Sequence, residues 1–303
     1  MLLSGTPKTK FYHYGLKAGL PFSLLEGVAD TLDALDRPTD YYRRREMAKT
    51  VTRDSVWKGY LTREMGLTPF SRGDIPGLED IHLLAQKVYR ERKDEIIRSS
   101  RGFSEYNPFY FILHNEDIHA YPEFVEAAIS PALIEIISDY LGTVPRLQHI
   151  NMWMARPSDS TYGSQLFHLD KPDVHFVRVF INVFPCTPEN GPTTVLPASL
   201  SEPARKGSEY ERVYYSEDGR LSDKELLKHC SEDDLLTLPP EEGAGGICDT
   251  STCLHFGSRC RSGERVTLVF NYALAHKING SPTRELPRPA NMTPAQEMML
   301  DAF

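Results

Sequence analysis

The stretch Gln165-Leu166-Phe167-His168-Leu169-Asp170 decides how the rest of this 303-residue chain is read. On a β-strand, side chains two apart share a face, so His168 and Asp170 project together. An imidazole and a carboxylate at that spacing can hold two adjacent positions on an octahedral metal, and a third ligand must come from elsewhere. His255 is the strongest candidate, in Cys248-Asp-Thr-Ser-Thr-Cys-Leu-His255-Phe-Gly, a short run ahead of the last strong strand signal. Two histidines and one carboxylate leave three positions open, a donor set suited to non-haem Fe(II) and O2 chemistry. The pattern H-x-[DE] alone is a weak signal, and the chain carries a second instance, His114-Asn115-Glu116, followed by His119. That instance lies in loop-like sequence before Pro122, without third-ligand context or a following arginine. It reads as a solvated loop or a helix cap.

Arg265-Val-Thr267 strengthens the first instance. Arg265 follows His255 by ten residues and opens a strand signal, so Arg265 and Thr267 alternate onto one face. A guanidinium there can take a carboxylate bidentately while the Thr267 hydroxyl donates one more hydrogen bond. A dicarboxylate such as 2-oxoglutarate can then chelate the metal at its keto-acid end and pair with Arg265 at the other.

Outward from these motifs, Leu147–Ala155, Phe176–Phe184 and Val266–Leu274 are rich in Val, Ile, Phe, Tyr and Met and bounded by turn residues, so they read as strands. In the second, Val177, Val179, Ile181 and Val183 alternate with Phe176, Arg178, Phe180, Asn182 and Phe184, which predicts cover on both faces. Glu189-Asn-Gly-Pro192 is a turn signal before another short run, Thr193–Leu196. Residues 1–145 read as a mainly helical support region. Apolar residues recur at helical spacing in Glu79–Ile97 and again from Phe124 to Leu141, where Pro131 kinks or splits the helix. Residues 146–276 read as the strand-built core of the same domain, with a polar insertion at about 201–245 that carries one short helix, Ser222 and Glu225 forming its capping box. Residues 277–303 read as a tail, polar from near Ser281. Helices followed by short, closely spaced strands predict an α+β chain with a β-sandwich or jelly-roll core. Gly243-Ala-Gly245-Gly246 lacks the following helix of a dinucleotide fingerprint, and no P-loop is present.

Composition fits this frame. Hydrophobic residues make up 40% and charged residues 25%, as in an ordinary globular chain, and the formal net charge of −8 argues against a nucleic-acid partner. Five cysteines form no C-x-x-C pair and match no zinc spacing, so they read as reduced, buried or semi-buried thiols. With no apolar leader and no run long enough to span a bilayer, the expectation is a cytoplasmic protein without a membrane partner, and N-x-S/T at Asn279 and Asn291 carries no meaning. Arg43-Arg44-Arg45 reads as a solvated charge run, or as a contact for an anionic substrate tail. Ser55-Val-Trp-Lys58 fits S-x-x-K but lacks the partner motifs of a serine acyl-enzyme.

With Gln165–Asp170, Pro188-Glu-Asn-Gly-Pro-Thr-Thr-Val-Leu-Pro197-Ala-Ser199, His255 and Arg265-Val-Thr267 in this order, residues 147–275 resemble the phytanoyl-CoA-dioxygenase-like branch of the Fe(II)/2-oxoglutarate dioxygenases. The resemblance implies a double-stranded β-helix, that is, a jelly roll, with the helical half packed around it. It implies Fe(II) held by His168, Asp170 and His255, with 2-oxoglutarate anchored by Arg265 and O2 as the oxidant. Asn151 matches a position that contacts the co-substrate, or is a polar strand residue bonded inside the barrel. Phe180 lines the co-substrate pocket or is plain core. The loop departs from the family's Pro-Gly-Ser-His, reading Pro197-Ala-Ser-Leu200, while Asp170 argues for oxygenation over halogenation. The implied activity is hydroxylation or another oxidation of a C–H bond in a small-molecule metabolite, with release of succinate and CO2. Rival readings are a non-catalytic jelly-roll binding protein with a vestigial site and a cupin-like metalloenzyme without redox chemistry. Gln165, Tyr162 and Lys171 are candidate substrate contacts, as are Tyr106, Phe109 and Tyr110, and nothing in the sequence selects the substrate or the oligomeric state.

Overall fold

The structure, a computed structural model, describes residues 20–104, 107–158, 161–170, 174–208, 220–274 and 286–301, with Phe11, Tyr14, Gly15 and Ala18 besides. Its strands are β1 (Leu67–Phe70), β2 (Phe109–Leu113), β3 (Arg146–Ala155), β4 (Phe176–Asn182), β5 (Thr194–Val195), β6 (Leu236–Thr237), β7 (Gly245–Asp249), β8 (His255–Phe256) and β9 (Arg265–Ala273). They form a six-stranded sheet in the order β1-β7-β4-β9-β3-β2 and a three-stranded sheet in the order β6-β5-β8. Every pairing is antiparallel.

Alternation along the large sheet decides what each face meets. Val177, Val179 and Ile181 of β4 share a core with Val266, Leu268, Phe270 and Tyr272 of β9 and with the helices on that side. Those helices are α2 (Pro38–Thr52), α3 (Ile81–Ser99), α4 (Glu123–Ala128), α5 (Pro131–Leu141) and α8 (Pro294–Leu300), with α1 (Phe22–Asp36) in a separate apolar cluster around Leu25 and Ala29. On the opposite face Phe180, Val269 and Leu67 pack with Val195 and Leu238, so the two sheets share an inner core. The two-sided cover expected for Phe176–Phe184 is therefore observed. Among the described residues no helix is long and apolar enough to cross a membrane.

The divided segment at Pro131 is also observed. Helix α4 ends at Ala128 and Pro131 opens α5 at its first position, where a missing N–H costs nothing. Ser222 caps α7 (Asp223–Leu226), its side chain accepting from the Glu225 N–H.

Four expectations need completing or correcting. Residues 1–145, read as mainly helical, carry α1 to α5, but both edges of the large sheet also come from them as β1 and β2. Pro69 obscures β1, yet on an edge strand its missing N–H is tolerated. The polar insertion is not a simple excursion either. It contains β6 and the first residue of β7, and it is entered through α6 (Ala198–Gly207), where a loop was expected. Glycines hide β7 in the sequence, but Cβ atoms at Gly245 and Gly246 would stand 1.8 Å from the Phe180 carbonyl oxygen and 2.4 Å from Leu238. Close approach, not weak strand propensity, sets those glycines. The C-terminal segment is not a polar tail, since α8 buries Ala295, Met298 and Met299 in the main core.

Arg44 overturns the reading of Arg43–Arg45 as a solvated run. It is 0% exposed and donates to the carbonyls of Val144 (3.2 Å) and Met298 (2.7 Å), and its Nε pairs with Asp40 at 3.0 Å. One guanidinium thus ties α2 to the loop before β3 and to α8.

Candidate metal centre and anion pocket

The segment bearing His168 is set by a one-turn 3-10 helix, Gly163–Gln165. Gln165 caps this turn, its Oε1 accepting from the Tyr162 N–H at 3.0 Å, while its Nε2 donates to the Ser258 carbonyl at 2.8 Å. His168 then joins β8 through an antiparallel bridge to His255, with reciprocal backbone hydrogen bonds of 3.0 and 3.1 Å. Opposed residues on paired strands present their side chains on one face, and the imidazole centroids lie 4.3 Å apart. Asp170 is placed by the turn after β7, its N–H donating to the Thr250 carbonyl at 2.8 Å. Ser201 Oγ braces the other side, donating to the Leu196 carbonyl and accepting from the Leu254 N–H, each at 2.8 Å.

His168, Asp170 and His255 consequently offer one ligand atom each, all within 4.8 Å of one another, and no other such cluster occurs among the described residues. The Nδ1 atom of His168 faces the Leu166 carbonyl at 2.8 Å and that of His255 faces the Cys253 carbonyl at 2.9 Å. A carbonyl can only accept, so each Nδ1 carries the proton and each Nε2 keeps a free lone pair. Burial, helped by the His255 ring, pushes His168 down to about 3. His255 is lowered by burial as well. Burial works to raise Asp170, but Arg178 and the two imidazoles outweigh it and hold the carboxyl at about 2. The trio at neutral pH is two neutral imidazoles and one carboxylate, the protonation state a divalent ion requires.

Asp170 Oδ2 is buried, makes no hydrogen bond, and lies 3.1 Å from Arg178 Nε and 3.7 Å from His255 Nε2. A buried carboxylate oxygen without a hydrogen-bond donor, beside an imidazole lone pair, is an incomplete site that a cation would complete.

The same cavity, about 230 Å3, is lined by these three residues together with Arg178, Arg265, Thr267, Phe180, Phe109, Phe111 and Trp153, among others. Arg265 is 6% exposed and forms no ion pair with a carboxylate among the described residues. Its Nη1 donates to Ser258 Oγ at 2.6 Å and its Nη2 to Thr193 Oγ1 at 2.5 Å, while Nε has no partner. Burial lowers its pKa, with nearby cysteine thiols opposing. The Pro188–Pro192 turn supports this arrangement, since the Gly191 carbonyl accepts from the Ser258 N–H at 2.7 Å. Ser258 sits at φ +63°, a left-handed conformation, and so turns its hydroxyl toward Arg265. Gly257 leaves room for the guanidinium, because a Cβ there would meet Arg265 Nη1 at 2.7 Å.

Other sequence candidates fall differently. Thr267 and Phe180 line the cavity, and Phe109 joins them. Asn151 is not among the lining residues, and its Oδ1 accepts from Asn271 Nδ2 at 3.1 Å. Gln165 braces the turn through its two hydrogen bonds and is not among the lining residues. Tyr162 donates to the Ser104 carbonyl at 3.3 Å and Tyr110 stacks on Phe103, both outside the cavity lining. Lys171 and Tyr106 lie outside the described residues. The rival motif serves as a cap: His114 precedes a 3-10 turn and Asp117 Oδ2 accepts from its N–H at 2.9 Å. All five cysteines are free, four of them buried.

The sequence reading missed Thr193, Ser258 and Arg178. Thr193 stood in the Gly-Pro-Thr-Thr run, but no local pattern announces that its hydroxyl holds an arginine from another strand. Arg178 was visible as the one charge in Phe176-Val-Arg-Val-Phe-Ile-Asn182, a signal strong enough to have marked it.

No family model and no curated protein matches this chain. Among solved structures it is similar to SnoK, a non-heme alpha ketoglutarate dependent carbocyclase from nogalamycin biosynthesis (13% identity, 75% of this chain and 87% of the other, TM-score 0.44). It is similar to HygX from Streptomyces hygroscopicus, solved with nickel and 2-oxoglutarate bound (16% identity, 73% and 87%, TM-score 0.45). A third neighbour is EctD from S. alaskensis, solved with bound Fe (13% identity, 70% and 74%, TM-score 0.47).

Proposed function

We propose that this chain is an Fe(II)- and 2-oxoglutarate-dependent oxygenase that oxidises a C–H bond of a small molecule, on a jelly-roll core of two facing antiparallel sheets. One observation carries the reading. A buried guanidinium with no carboxylate partner among the described residues lines the same cavity as two neutral imidazoles and one buried carboxylate. A buried charge is costly unless paired, so Arg265 calls for an anion, and the imidazole–carboxylate trio calls for a metal. A dicarboxylate satisfies Arg265 with one end while its other end reaches the metal. A cupin-like enzyme without redox chemistry gives Arg265 no such use.

In this reading His168, Asp170 and His255 hold Fe(II), and the chemistry it supplies when bound is O2 activation coupled to oxidation of 2-oxoglutarate to succinate and CO2. The chain does the rest. The Leu166 and Cys253 carbonyls hold both imidazoles in the tautomer whose Nε2 can bind metal. Arg265, oriented by Thr193 and Ser258, fixes the distal carboxylate of the co-substrate. Phe109, Phe111 and Trp153 wall the cavity and limit water. Anaerobic addition of Fe(II) and then 2-oxoglutarate should produce a weak visible charge-transfer band. Folded protein that gives no band, with no calorimetric heat for 2-oxoglutarate, would overturn the reading.

A further inference from the structure

The co-substrate accounts for one of the two arginines that line the cavity, and the second has no role so far beyond standing near Asp170. Arg178 lies on the inner face of β4, opposite Asn271 of β9 and Cys248 of β7. Its guanidinium carbon is 5.5 Å from the Trp153 ring centroid and 5.1 Å from that of Phe176, so the fork packs against two aromatic rings. The Nε stands 3.1 Å from Asp170 Oδ2 without hydrogen-bond alignment. No hydrogen bond joins the guanidinium to an acceptor among the described residues, although the side chain is only 17% exposed. A half-clamped fork with unused donors at a cavity wall is a receptor for a planar anion.

Charge counting within the cavity gives the same answer. Among the described lining residues the charged ones are Asp170, Arg178 and Arg265. A divalent metal and a dianionic co-substrate cancel one another, which leaves two guanidinium cations against one carboxylate. One positive charge in a cavity walled largely by aromatic rings stays uncompensated, and a substrate carrying one negative charge neutralises it. The walls beside Arg178 are aromatic: Phe109, Phe111 and Trp153, with the Phe109 and Trp153 rings stacked at 5.4 Å.

We infer that the substrate is a monocarboxylic acid with an apolar body, its carboxylate held by Arg178 and its body by the aromatic wall. This deepens, and rests on, the reading of the site given above.

Calorimetry on the full chain tests it, using redox-inert Zn(II), then 2-oxoglutarate, then benzoate, phenylacetate or 3-phenylpropanoate, each compared with its primary amide. The acids should bind the wild type at least about tenfold more tightly than the amides, as a charge-assisted contact implies. Arg178→Gln should abolish that preference, and Arg178→Lys, which keeps the charge but not the fork, should reduce it. At saturating Zn(II), 2-oxoglutarate affinity should stay within about threefold in both variants. Acids and amides binding the wild type alike, neither class binding, or an acid preference that survives both substitutions would overturn the inference. So would a tenfold or greater loss of 2-oxoglutarate affinity in Arg178→Lys, which would assign the fork to the co-substrate. Failure of the parent reading is seen separately, as absence of 2-oxoglutarate binding before any acid is added.

Discussion

His168 and His255 donate a backbone N–H to one another's carbonyl, so the two imidazoles share a face because the strands pair there. The two proposed histidine ligands are therefore brought together by backbone pairing before metal arrives, while Asp170 depends on the turn after β7. A one-residue slip of β8 would turn His255 to the opposite face.

Asp170→Ala removes the one carboxylate of the trio and leaves Arg178 without its counter-charge. Metal affinity should fall by more than the roughly 10–100-fold typical of a lost supporting contact. Titration of the apoprotein with Mn(II), followed by electron paramagnetic resonance, measures this. Unchanged affinity would move the metal elsewhere.

Arg265→Ala should raise the 2-oxoglutarate KM strongly, because a charge-assisted contact is worth about 1.5–3 kcal/mol, or roughly 10–150-fold. Thr193→Val, which removes only the hydroxyl that orients Nη2, should give a smaller rise in the same direction. Gly257→Ala places a methyl against Nη1 and should weaken 2-oxoglutarate while metal affinity is unchanged. Calorimetry with Zn(II) in place distinguishes the three.

Arg44→Ala should cost about 3–5 kcal/mol, since it strips a buried charge from Asp40 and leaves the Val144 and Met298 carbonyls unsatisfied. The expected fall in Tm is at least about 6 °C. Arg43→Ala, on the exposed side of the same run, should change Tm little. Differential scanning calorimetry of the two variants is the comparison.

A pH effect should come from His175, 2% exposed between Asp249 and Glu26, with Arg63 and Tyr140 alongside. Burial works to lower His175, but Asp249 and Glu26 outweigh it and raise the imidazole above 6.5. Burial works to raise Asp249 and Glu26, and His175 outweighs it, holding them below 3.8 and 4.5. The raised imidazole adds stability that is complete below 6.5 and is lost as pH rises through its folded value. The lowered carboxylates add stability that is complete above 4.5 and is lost as pH falls through their folded values. Wild-type Tm minus that of His175→Phe should therefore be greatest between these limits and shrink on the alkaline side. A difference that is flat with pH would remove His175 from this role.

What was legible in the sequence was what alternation and fixed spacing encode. Arg265 with Thr267 and the two faces of β4 follow from a period of two. His168, by contrast, sits in an isolated bridge and Asp170 is set by the turn after β7, so their H-x-D spacing marked the pair without a strand beneath it. Partners contributed by the backbone left no mark, which is why the Leu166 and Cys253 carbonyls behind the imidazoles could not be named. Short strands failed where packing overrode propensity, as at Pro69 in β1 and Gly245-Gly246 in β7. Arg44 was misread because a triplet of like charges looks the same whether solvent or a carbonyl cage receives its middle member.

That cage has a consequence for synthesis on the ribosome. The acceptors of Arg44 come from α2, from the loop at Val144 and from Met298 in α8. Until residue 298 has emerged, Nη2 of Arg44 lacks its acceptor, although Asp40 and the Val144 carbonyl already meet Nε and Nη1. A buried donor left open is costly, so the packing of α2 completes only when α8 docks.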